Sequence, residues 1–471
     1  MNNLSRRDLL KTSLVAGAAV SLGSHGVKVT AVSQQDKSAG RPNIVFILSD
    51  DHGLDGVGCY GSDRHKERTP NIDALAASGI RFERCYSAPL CGPTRCQIMT
   101  GRYPFRTGGL TNQTAGRPTS KDEYPLARIL TEAGYDTCHV GKWRQMGETP
   151  GDWGFGEYIT DPTAGGWYWQ KSYTKNGQLI ETQEEVYYPD VAHDYAIDFV
   201  RRHAPKGAAA AKPFYLYYSS HLVHGPILRT PDSKPGEKDR TTLYNDNIAY
   251  LDKQVGALVA EIDRLGLREN TLIVFSADNG TVGQPSTIGG RKINGQKGTM
   301  LEGGARVPLI ANWKGVAPAG RALKDLVDFS DLLPTFAEVA GAKLPEGVAI
   351  DGRSFAPQLR GRKGSLREWI FVQLGRRWYV REDGWKLNEA GELFDMKDSP
   401  FVEQLVPADS KDQSAVAARK RLQAALAKLD PAGGKTISAE EAASEKDRAR
   451  KRAERKKQTQ KPKRAARKTQ Q

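Results

Sequence analysis

Two pairs of oxygen-bearing side chains each follow an apolar run of the kind that forms a buried strand. Asp50 and Asp51 end the first of these runs, and Asp278 and Asn279 end a later one. Neighbouring carboxylates at a buried strand end repel each other and lose solvation, so they normally need a cation. One such pair alone is more often a turn or a cap. The two pairs together predict a metal site whose hard oxygen ligands favour Ca²⁺ or Mg²⁺ over Zn²⁺.

A cysteine with unusual neighbours lies between these pairs in the chain. Cys91 opens the segment Cys-Gly-Pro-Thr-Arg, which ends at Arg95, and Met-Thr-Gly-Arg follows at 99–102. The chain has five cysteines, and an odd count rules out complete intramolecular pairing. We expect three of the others to be buried thiols: Cys59, Cys85 and Cys138.

The elements that must position these residues alternate between strands and helices. Apolar, β-branched and aromatic runs predict buried strands at 43–48, 81–86, 136–140, 213–219 and 271–276. Helices are predicted from Thr69 as N-cap and Pro70 as first helical residue, at 123–133 and at 243–265. This alternation predicts an α/β fold, a doubly wound, mostly parallel sheet flanked by helices, with ligands at the carboxyl ends of its strands.

The pattern changes after residue 365. Short strands are predicted at 369–373, 378–381, 386–388 and 392–395, followed by a helix at about 414–429. We interpret residues 41–360 as the main domain and 365–430 as a small C-terminal subdomain with an antiparallel sheet. Residues 432–471 are charged and poor in aromatic side chains, which predicts a disordered basic tail.

The positive charge of the chain is concentrated in that tail. Of the formal net charge of +14, residues 446–471 contribute +11, from 13 Lys and Arg against Asp447 and Glu454. The rest of the chain carries only +3, so we expect no nucleic-acid partner. The tail could tether the protein to polyanions or simply be solvated. The overall composition, 38% hydrophobic and 26% charged, is that of a globular protein and excludes an integral membrane protein.

The N-terminus resembles an export signal. Arg6 and Arg7 precede a weakly apolar stretch at 13–23 that is too short to span a bilayer, and 31–33 is a small-x-small cleavage site. We therefore predict a twin-arginine signal peptide at 1–33, with the twin-arginine translocation machinery as partner and a periplasmic or secreted bacterial protein as product. That route carries folded proteins, so any modification would be installed before export.

Several segments, taken in their order along the chain, resemble motifs of the sulfatase family, which belongs to the alkaline-phosphatase superfamily. The family signature Cys-x-Pro-x-Arg followed by Thr-Gly-Arg matches Cys91–Arg95 and 100–102. The other matching segments are Asp50-Asp51, Thr69–Asp73, Gly141–Trp143, Asp278–Gly280, Lys297–Thr299, Glu302–Pro308 and Asp331–Thr335. They keep the family's order from residue 41 to about 355 and imply an alkaline-phosphatase-like fold.

The resemblance implies a chemistry for Cys91. A dedicated formylglycine-generating maturation enzyme would oxidise it to formylglycine, whose hydrate offers two hydroxyls. One attacks sulfur and displaces the alcohol, and the other restores the aldehyde and expels sulfate. The resemblance also implies that the cation held by the two strand-end pairs assists this attack.

The resemblance also assigns roles to cationic side chains. Arg95 would hold the nucleophile, and Lys142 and Lys297 would contact the sulfate oxygens. His224, in His-Gly-Pro, would protonate the leaving alcohol. His221, three residues earlier, is a competing candidate for that acid.

One position departs from the family pattern. The family usually continues Gly-Lys-Trp with His, whereas Arg144 and then Gln145 stand here. Either Arg144 takes over the contact with the sulfate or the contact is lost.

The substrate implied by export and the resemblance together is a sulfated small molecule or polysaccharide, most simply a carbohydrate sulfate. Aromatic residues of a Gly-flanked insertion could stack on a sugar or pack on one another: Trp167, Tyr168, Trp169 and Tyr173. The nearest alternative function is a phosphonate monoester or phosphodiester hydrolase of the same superfamily. A non-enzymatic alternative is a polyanion-binding protein that retained the fold. A zinc phosphatase would need His ligands that these strand ends lack.

Overall fold

The computed structural model describes residues 40–143, 146–161, 168–204, 212–364, 367–441 and 443. The predictions for the signal peptide, for residues 446–471, and for Arg144, Gln145 and Trp167 lie outside the described residues. Within the described residues, no helix has both the length and the apolar character needed to cross a bilayer.

A ten-stranded mixed sheet forms the centre of the protein. Its strand order is β10-β2-β9-β8-β1-β7-β3-β4-β5-β6. The strands are β1 Asn43–Ser49, β2 Ile80–Tyr86, β3 Asp136–Gly141, β4 Glu157–Thr160, β5 Trp169–Lys175, β6 Gln178–Tyr187, β7 Phe214–Ser219, β8 Thr271–Ala277, β9 Arg306–Trp313 and β10 Arg321–Asp328. The five strands from β8 to β4 run parallel, which confirms the predicted mostly parallel sheet.

Helices cover both faces of this sheet. They are α1 Pro70–Ala77, α2 Cys91–Thr100, α3 Pro104–Thr107, α4 Leu126–Glu132, α5 Tyr188–Arg202, α6 Arg240–Arg264, α7 Glu302–Ala305, α8 Leu332–Ala340 and α9 Ala356–Leu359. Strand β1 shows why two cores form, because successive side chains point to opposite faces. Ile44, Phe46 and Leu48 join the core with α4 and α8. Val45 and Ile47 join the core with α5 and α6.

The helix boundaries differ from the predictions for local reasons. Helix α1 begins at Pro70 as predicted, but the Thr69 hydroxyl does not cap it and instead accepts a hydrogen bond of 2.8 Å from the Gly58 N–H. Helix α6 begins at Arg240, earlier than predicted, because the Asp239 side chain accepts a bond of 2.9 Å from the Thr242 N–H and caps it.

The C-terminal part forms a separate antiparallel sheet, as predicted. Its strands, in spatial order, are β11 Ile370–Leu374, β12 Arg377–Arg381, β13 Trp385–Asn388, β14 Leu393–Asp395 and β15 Gln404–Val406. Helix α10, Gln413–Leu429, packs on this sheet. Its core includes Tyr103 and Phe105, which lie at and within α3. A second cluster packs Tyr86 of β2 and Leu326 of β10 against Ile370 of β11, so the two sheets are in contact. The domain boundaries themselves stay predictions.

Candidate active site and metal centre

The two strand-end pairs meet because β1 and β8 are parallel neighbours. Ser49 pairs with Ala277 in register, so Asp50 and Asp278 leave the sheet at the same level. The Asp51 N–H donates to Asp278 Oδ1 at 3.1 Å, and both side chains are buried. Asp51 has a left-handed backbone (φ 57°), a conformation that Asp tolerates better than most residues. The predicted juxtaposition is therefore present.

The amide of Asn279 indicates what this cluster is built to bind. Its Nδ2 donates to Asp51 Oδ1 at 2.8 Å, but its fully buried Oδ1 accepts no hydrogen bond among the described residues. A buried oxygen without a partner is costly unless something else binds it. Three buried carboxylates and this amide oxygen form the donor set of a hard divalent cation, so the residues present fit such an ion.

The cationic side chains of Arg95, Lys142 and Lys297 surround the same carboxylates. Arg95 Nη2 lies 3.2 Å from Asp50 Oδ2 and 3.0 Å from Asp278 Oδ2. Lys142 forms an ion pair with Asp50 at a site closed to solvent. Burial alone would raise the pKa of Asp50, but Lys142 and the other cations hold it well below its usual range. The Asp50 carboxylate is therefore ionised at neutral pH and lies among these cations.

The Cys91 thiol lies against this charged cluster. Cys91 is the first residue of α2, is fully buried, and its Sγ lies 3.2 Å from Lys297 Nζ and 3.7 Å from Asp50 Oδ1. Burial and the Asp278 carboxylate raise the pKa of Cys91 to about 12. The thiol is therefore protonated near neutral pH and is a poor nucleophile as it stands.

Helix α2 is held by hydrogen bonds to the end of β8 and to the loop that contains Asn112. The Thr94 hydroxyl donates to the Asp278 carbonyl at 2.7 Å, and the Gly92 N–H donates to Asn112 Oδ1 at 2.9 Å. On the other side of the thiol, Lys297 also forms an ion pair with Asp51. These contacts fix the position of residue 91 relative to the strand ends.

The two candidate histidines occupy different environments. His224 Nε2 lies 3.7 Å from Asp51 Oδ2, and 14% of its side chain is exposed. Burial, with Lys142, lowers the pKa of His224 to about 4. His221 is only 1% exposed, and its Nε2 lies 3.3 Å from Asp161 Oδ1. The geometry therefore favours His224 over His221 as the group that faces the substrate.

Asp161 is a site residue that sequence reasoning missed. It follows β4, whose Thr160 pairs in register with Gly141 of β3, immediately before Lys142. Its local signal was the same as for the two acidic strand-end pairs, a carboxylate directly after a strand, but β4 was too short to be recognised.

Two side chains of the C-terminal sheet that the sequence did not single out, Arg381 and Lys386, support the segment between Lys297 and Glu302. The buried Glu302 carboxylate accepts from Tyr86 Oη at 3.0 Å and lies 3.2 Å from Arg381 Nε of the C-terminal sheet. Lys386, on the next strand of that sheet, donates to the Met300 carbonyl at 3.1 Å. Because removing one partner of a buried ion pair is costly, the C-terminal sheet holds this segment in place.

The aromatic insertion packs largely on itself. Tyr168 is fully buried, and its hydroxyl donates to the His224 carbonyl at 2.6 Å, so it braces the histidine loop and cannot stack on a sugar. Tyr173 faces Tyr188, with ring centroids 6.2 Å apart. Trp169 is half-buried, and its ring contacts Tyr187 and the guanidinium of Arg229.

This fold and site define a hydrolase of the alkaline-phosphatase-like class. The family model described as Sulfatase matches residues 42–342. The chain therefore belongs to the sulfatase family, and it is a sulfuric ester hydrolase. A twin-arginine translocation signal model matches residues 3–23, which confirms the export signal and a periplasmic or secreted location.

Several proteins of known activity are similar to this chain. Human arylsulfatase A is 33% identical over 369 residues, which cover 70% of each chain. Canine N-acetylgalactosamine-6-sulfatase is 32% identical over 68% of this chain and 66% of its own length. The structure of Ps i-CgsB in complex with k-i-k-neocarrahexaose superimposes with a TM-score of 0.70 and 28% identity, covering 86% of this chain and 96% of that one.

Replacing His224 with alanine should slow turnover most for esters with poor leaving groups. An alkoxide leaving group needs a proton, whereas 4-nitrophenolate leaves without one, so a general acid matters only for the former. We expect kcat to fall about 100-fold or more for an alkyl or sugar sulfate and much less for 4-nitrophenyl sulfate. Equal losses on both esters would contradict this role. The His221→Ala variant tests the competing assignment in the same assay.

Proposed function

We propose that the protein hydrolyses a carbohydrate sulfate ester, with formylglycine derived from Cys91 as nucleophile and one divalent cation. The observation that carries the proposal is the position of Cys91 Sγ, 3.2 Å from Lys297 Nζ and 3.7 Å from Asp50 Oδ1. A group formed at residue 91 would thus face both a sulfate-binding cation and the metal-binding carboxylates.

The environment of the thiol supports its modification. With its pKa raised to about 12, the unmodified thiol would supply little thiolate at neutral pH. The segment Cys91–Arg95 matches the motif that the maturation enzyme of this family reads, so that enzyme is a proposed partner. When hydrated, formylglycine supplies one hydroxyl for attack on sulfur and a second for release of sulfate.

The surrounding side chains divide the remaining work. Arg95, tied to Asp50 and Asp278, would hold residue 91 and the carboxylates in place. Lys142 and Lys297 would stabilise the negative charge that develops on the sulfate oxygens. Because burial lowers the pKa of His224 to about 4, His224 would take up a proton when the anionic sulfate ester binds beside it, and would then give that proton to the leaving oxygen.

The cation would be held by Asp50, Asp51, Asp278 and Asn279. These ligands favour Ca²⁺, with Mg²⁺ as a second possibility. When bound, the cation acts as a Lewis acid toward the sulfate ester. The buried, unpartnered Oδ1 of Asn279 supports this ligand set.

The names of similar proteins support a carbohydrate as the alcohol. They include N-acetylgalactosamine-6-sulfatase and a structure bound to neocarrahexaose. The proposed substrates are a sulfated small molecule or a polysaccharide. The twin-arginine machinery would export the folded, already modified protein, with residues 41–360 as its catalytic domain.

Mass spectrometry of the Cys91 peptide from protein purified out of its native host tests the proposal. We expect a mass about 18 Da below that of the unmodified peptide, together with an adduct formed by an aldehyde-reactive hydrazide. The same protein should release sulfate from sulfated glycans and turn over aryl sulfate faster than aryl phosphate or phosphonate. An unmodified cysteine in active native protein would overturn the mechanism, and faster turnover of the phosphonate would favour the alternative hydrolase.

A further inference from the structure

The loop that follows His224 is fastened to the beginning of β5 at two points. The Tyr168 hydroxyl donates to the His224 carbonyl at 2.6 Å. Trp169, the next residue, donates from Nε1 to the Arg229 carbonyl at 2.9 Å. The loop from His224 to Arg229 is therefore hydrogen-bonded to the start of β5 at both of its ends.

The side chain of Arg229 folds back onto this attachment point. Its Cζ lies 4.8 Å from the centroid of the Trp169 ring, and the residue is exposed. The Trp169 ring also packs against Tyr187, with ring centroids 5.1 Å apart and planes inclined at 52°. The guanidinium therefore lies on a packed aromatic pair while the residue remains exposed to solvent.

Arg229 differs from the other arginines of the described chain that stack on aromatic rings. Each of those also forms an ion pair with a carboxylate: Arg81 with Glu83, Arg106 with Asp351, Arg128 with Glu132, Arg202 with Asp198, Arg291 with Asp398, Arg360 with Glu338 and Arg381 with Glu302. No carboxylate of the described residues pairs with Arg229. The guanidinium charge of Arg229 therefore lies on the Trp169 ring without a carboxylate partner among the described residues.

A stacked guanidinium is well suited to bind an anion. A guanidinium held over an aromatic ring keeps N–H donors that can form a bidentate bond to a sulfate or carboxylate. Arg229 lies five residues after His224, which limits their Cα separation to at most about 18 Å. That is the span of a few sugar rings, so one oligosaccharide can reach both positions.

We propose that Trp169 and Arg229 form a second anion subsite, which binds a sulfate or carboxylate group elsewhere on the carbohydrate whose ester is cleaved. This inference rests on the proposed function and narrows it: the substrate is a carbohydrate with more than one anionic group. A small aryl sulfate has no group to place there.

Competitive inhibition of 4-nitrophenyl sulfate turnover tests the subsite without knowledge of the natural substrate. The probes are a carrageenan-derived sulfated hexasaccharide, a hexagalacturonate that carries carboxylates only, and inorganic sulfate. In Arg229→Gln we expect the inhibition constant of the sulfated hexasaccharide to rise about ten-fold. The constant for inorganic sulfate, and kcat and KM for 4-nitrophenyl sulfate, should stay unchanged. Hexagalacturonate inhibition distinguishes a carboxylate ligand from a sulfate ligand.

Two further variants separate a specific contact from general charge. Arg128→Gln removes another exposed arginine, one stacked on Tyr124 and paired with Glu132, and should leave all constants unchanged. Arg229→Lys keeps the positive charge but loses the paired N–H donors of the guanidinium, so it should retain only part of the affinity for the sulfated hexasaccharide. Two outcomes would overturn the subsite. One is that each hexasaccharide has the same inhibition constant for wild type and for Arg229→Gln. The other is that neither hexasaccharide inhibits wild type more strongly than inorganic sulfate does.

Failure of the proposed function has a different signature. A wild-type protein that releases sulfate from neither aryl nor carbohydrate esters contradicts the sulfatase mechanism. Calorimetric titration of the same hexasaccharides into wild type and Arg229→Gln then still measures the subsite, and equal affinities would overturn it.

Discussion

Replacing Cys91 with serine should end catalytic turnover while the fold stays intact. Serine offers one hydroxyl, which can accept the sulfuryl group from the ester as the alcohol leaves. It lacks the second hydroxyl needed to expel sulfate, so the serine would remain sulfated. Loss of a central nucleophile typically lowers kcat by about 10⁴-fold or more. The substitution is nearly isosteric, and the site of residue 91 is held by contacts of Gly92 and Thr94, so unfolding is not expected.

Rapid mixing with 4-nitrophenyl sulfate and intact mass measurement check this result. We expect at most one equivalent of 4-nitrophenol per protein and a mass gain of about 80 Da from the covalent sulfuryl group. Cys59→Ser, at a half-buried cysteine outside the cluster, is the matched control and should turn over normally. Continued multiple turnover by Cys91→Ser would contradict a nucleophile made from this cysteine.

Removing the divalent cation should abolish turnover and lower the thermal stability. Asp50, Asp51 and Asp278 are buried together, and a bound cation offsets their mutual repulsion. An ion present at 100 times its Kd stabilises the folded state by about 2.7 kcal/mol. Dialysis against a chelator should therefore lower the Tm and the activity, and Ca²⁺ or Mg²⁺ should restore both.

The Asp51→Asn variant extends this test to the proposed ligand set. It keeps the shape of the side chain but removes a carboxylate that also pairs with Lys297, so both activity and the Ca²⁺-dependent rise in Tm should be lost. Asp63→Asn, at an aspartate that bonds only exposed backbone and Thr287, is the control and should respond to Ca²⁺ as wild type does. A Ca²⁺-dependent rise of equal size in Asp51→Asn would place the cation elsewhere.

The sequence was most informative where function depends on local pattern plus one topological rule. The strands before Asp50 and Asp278 are continuous apolar runs, and the carboxyl ends of parallel strands meet at one edge of the sheet. The proximity of the Asp50 and Asp278 strand ends was therefore predictable from the sequence alone. The antiparallel C-terminal sheet was predictable for a similar reason, since its short strands are separated by turn residues.

Sheet elements with weak local patterns were not predictable. The hairpin of β5 and β6 has almost entirely exposed or half-buried side chains, so it lacks the hydrophobic periodicity by which strands are recognised. Strand β9 contains Pro308, which argues against an interior strand, yet it lies between β2 and β8. Tertiary pairing overrode the local preference in both places.

By itself, the sequence determined the family motifs, the two acidic strand ends, the place of Cys91 in its motif and the export signal, because each is written in contiguous residues. Only the tertiary structure decided which histidine faces the centre, that Asp161 pairs with His221, and that Arg381 of the C-terminal sheet neutralises Glu302. It alone also decided that Arg229 lies on Trp169. These contacts join side chains that are 60 to 173 residues apart, and their formation depends on strand order and loop path, which local side-chain pattern does not encode.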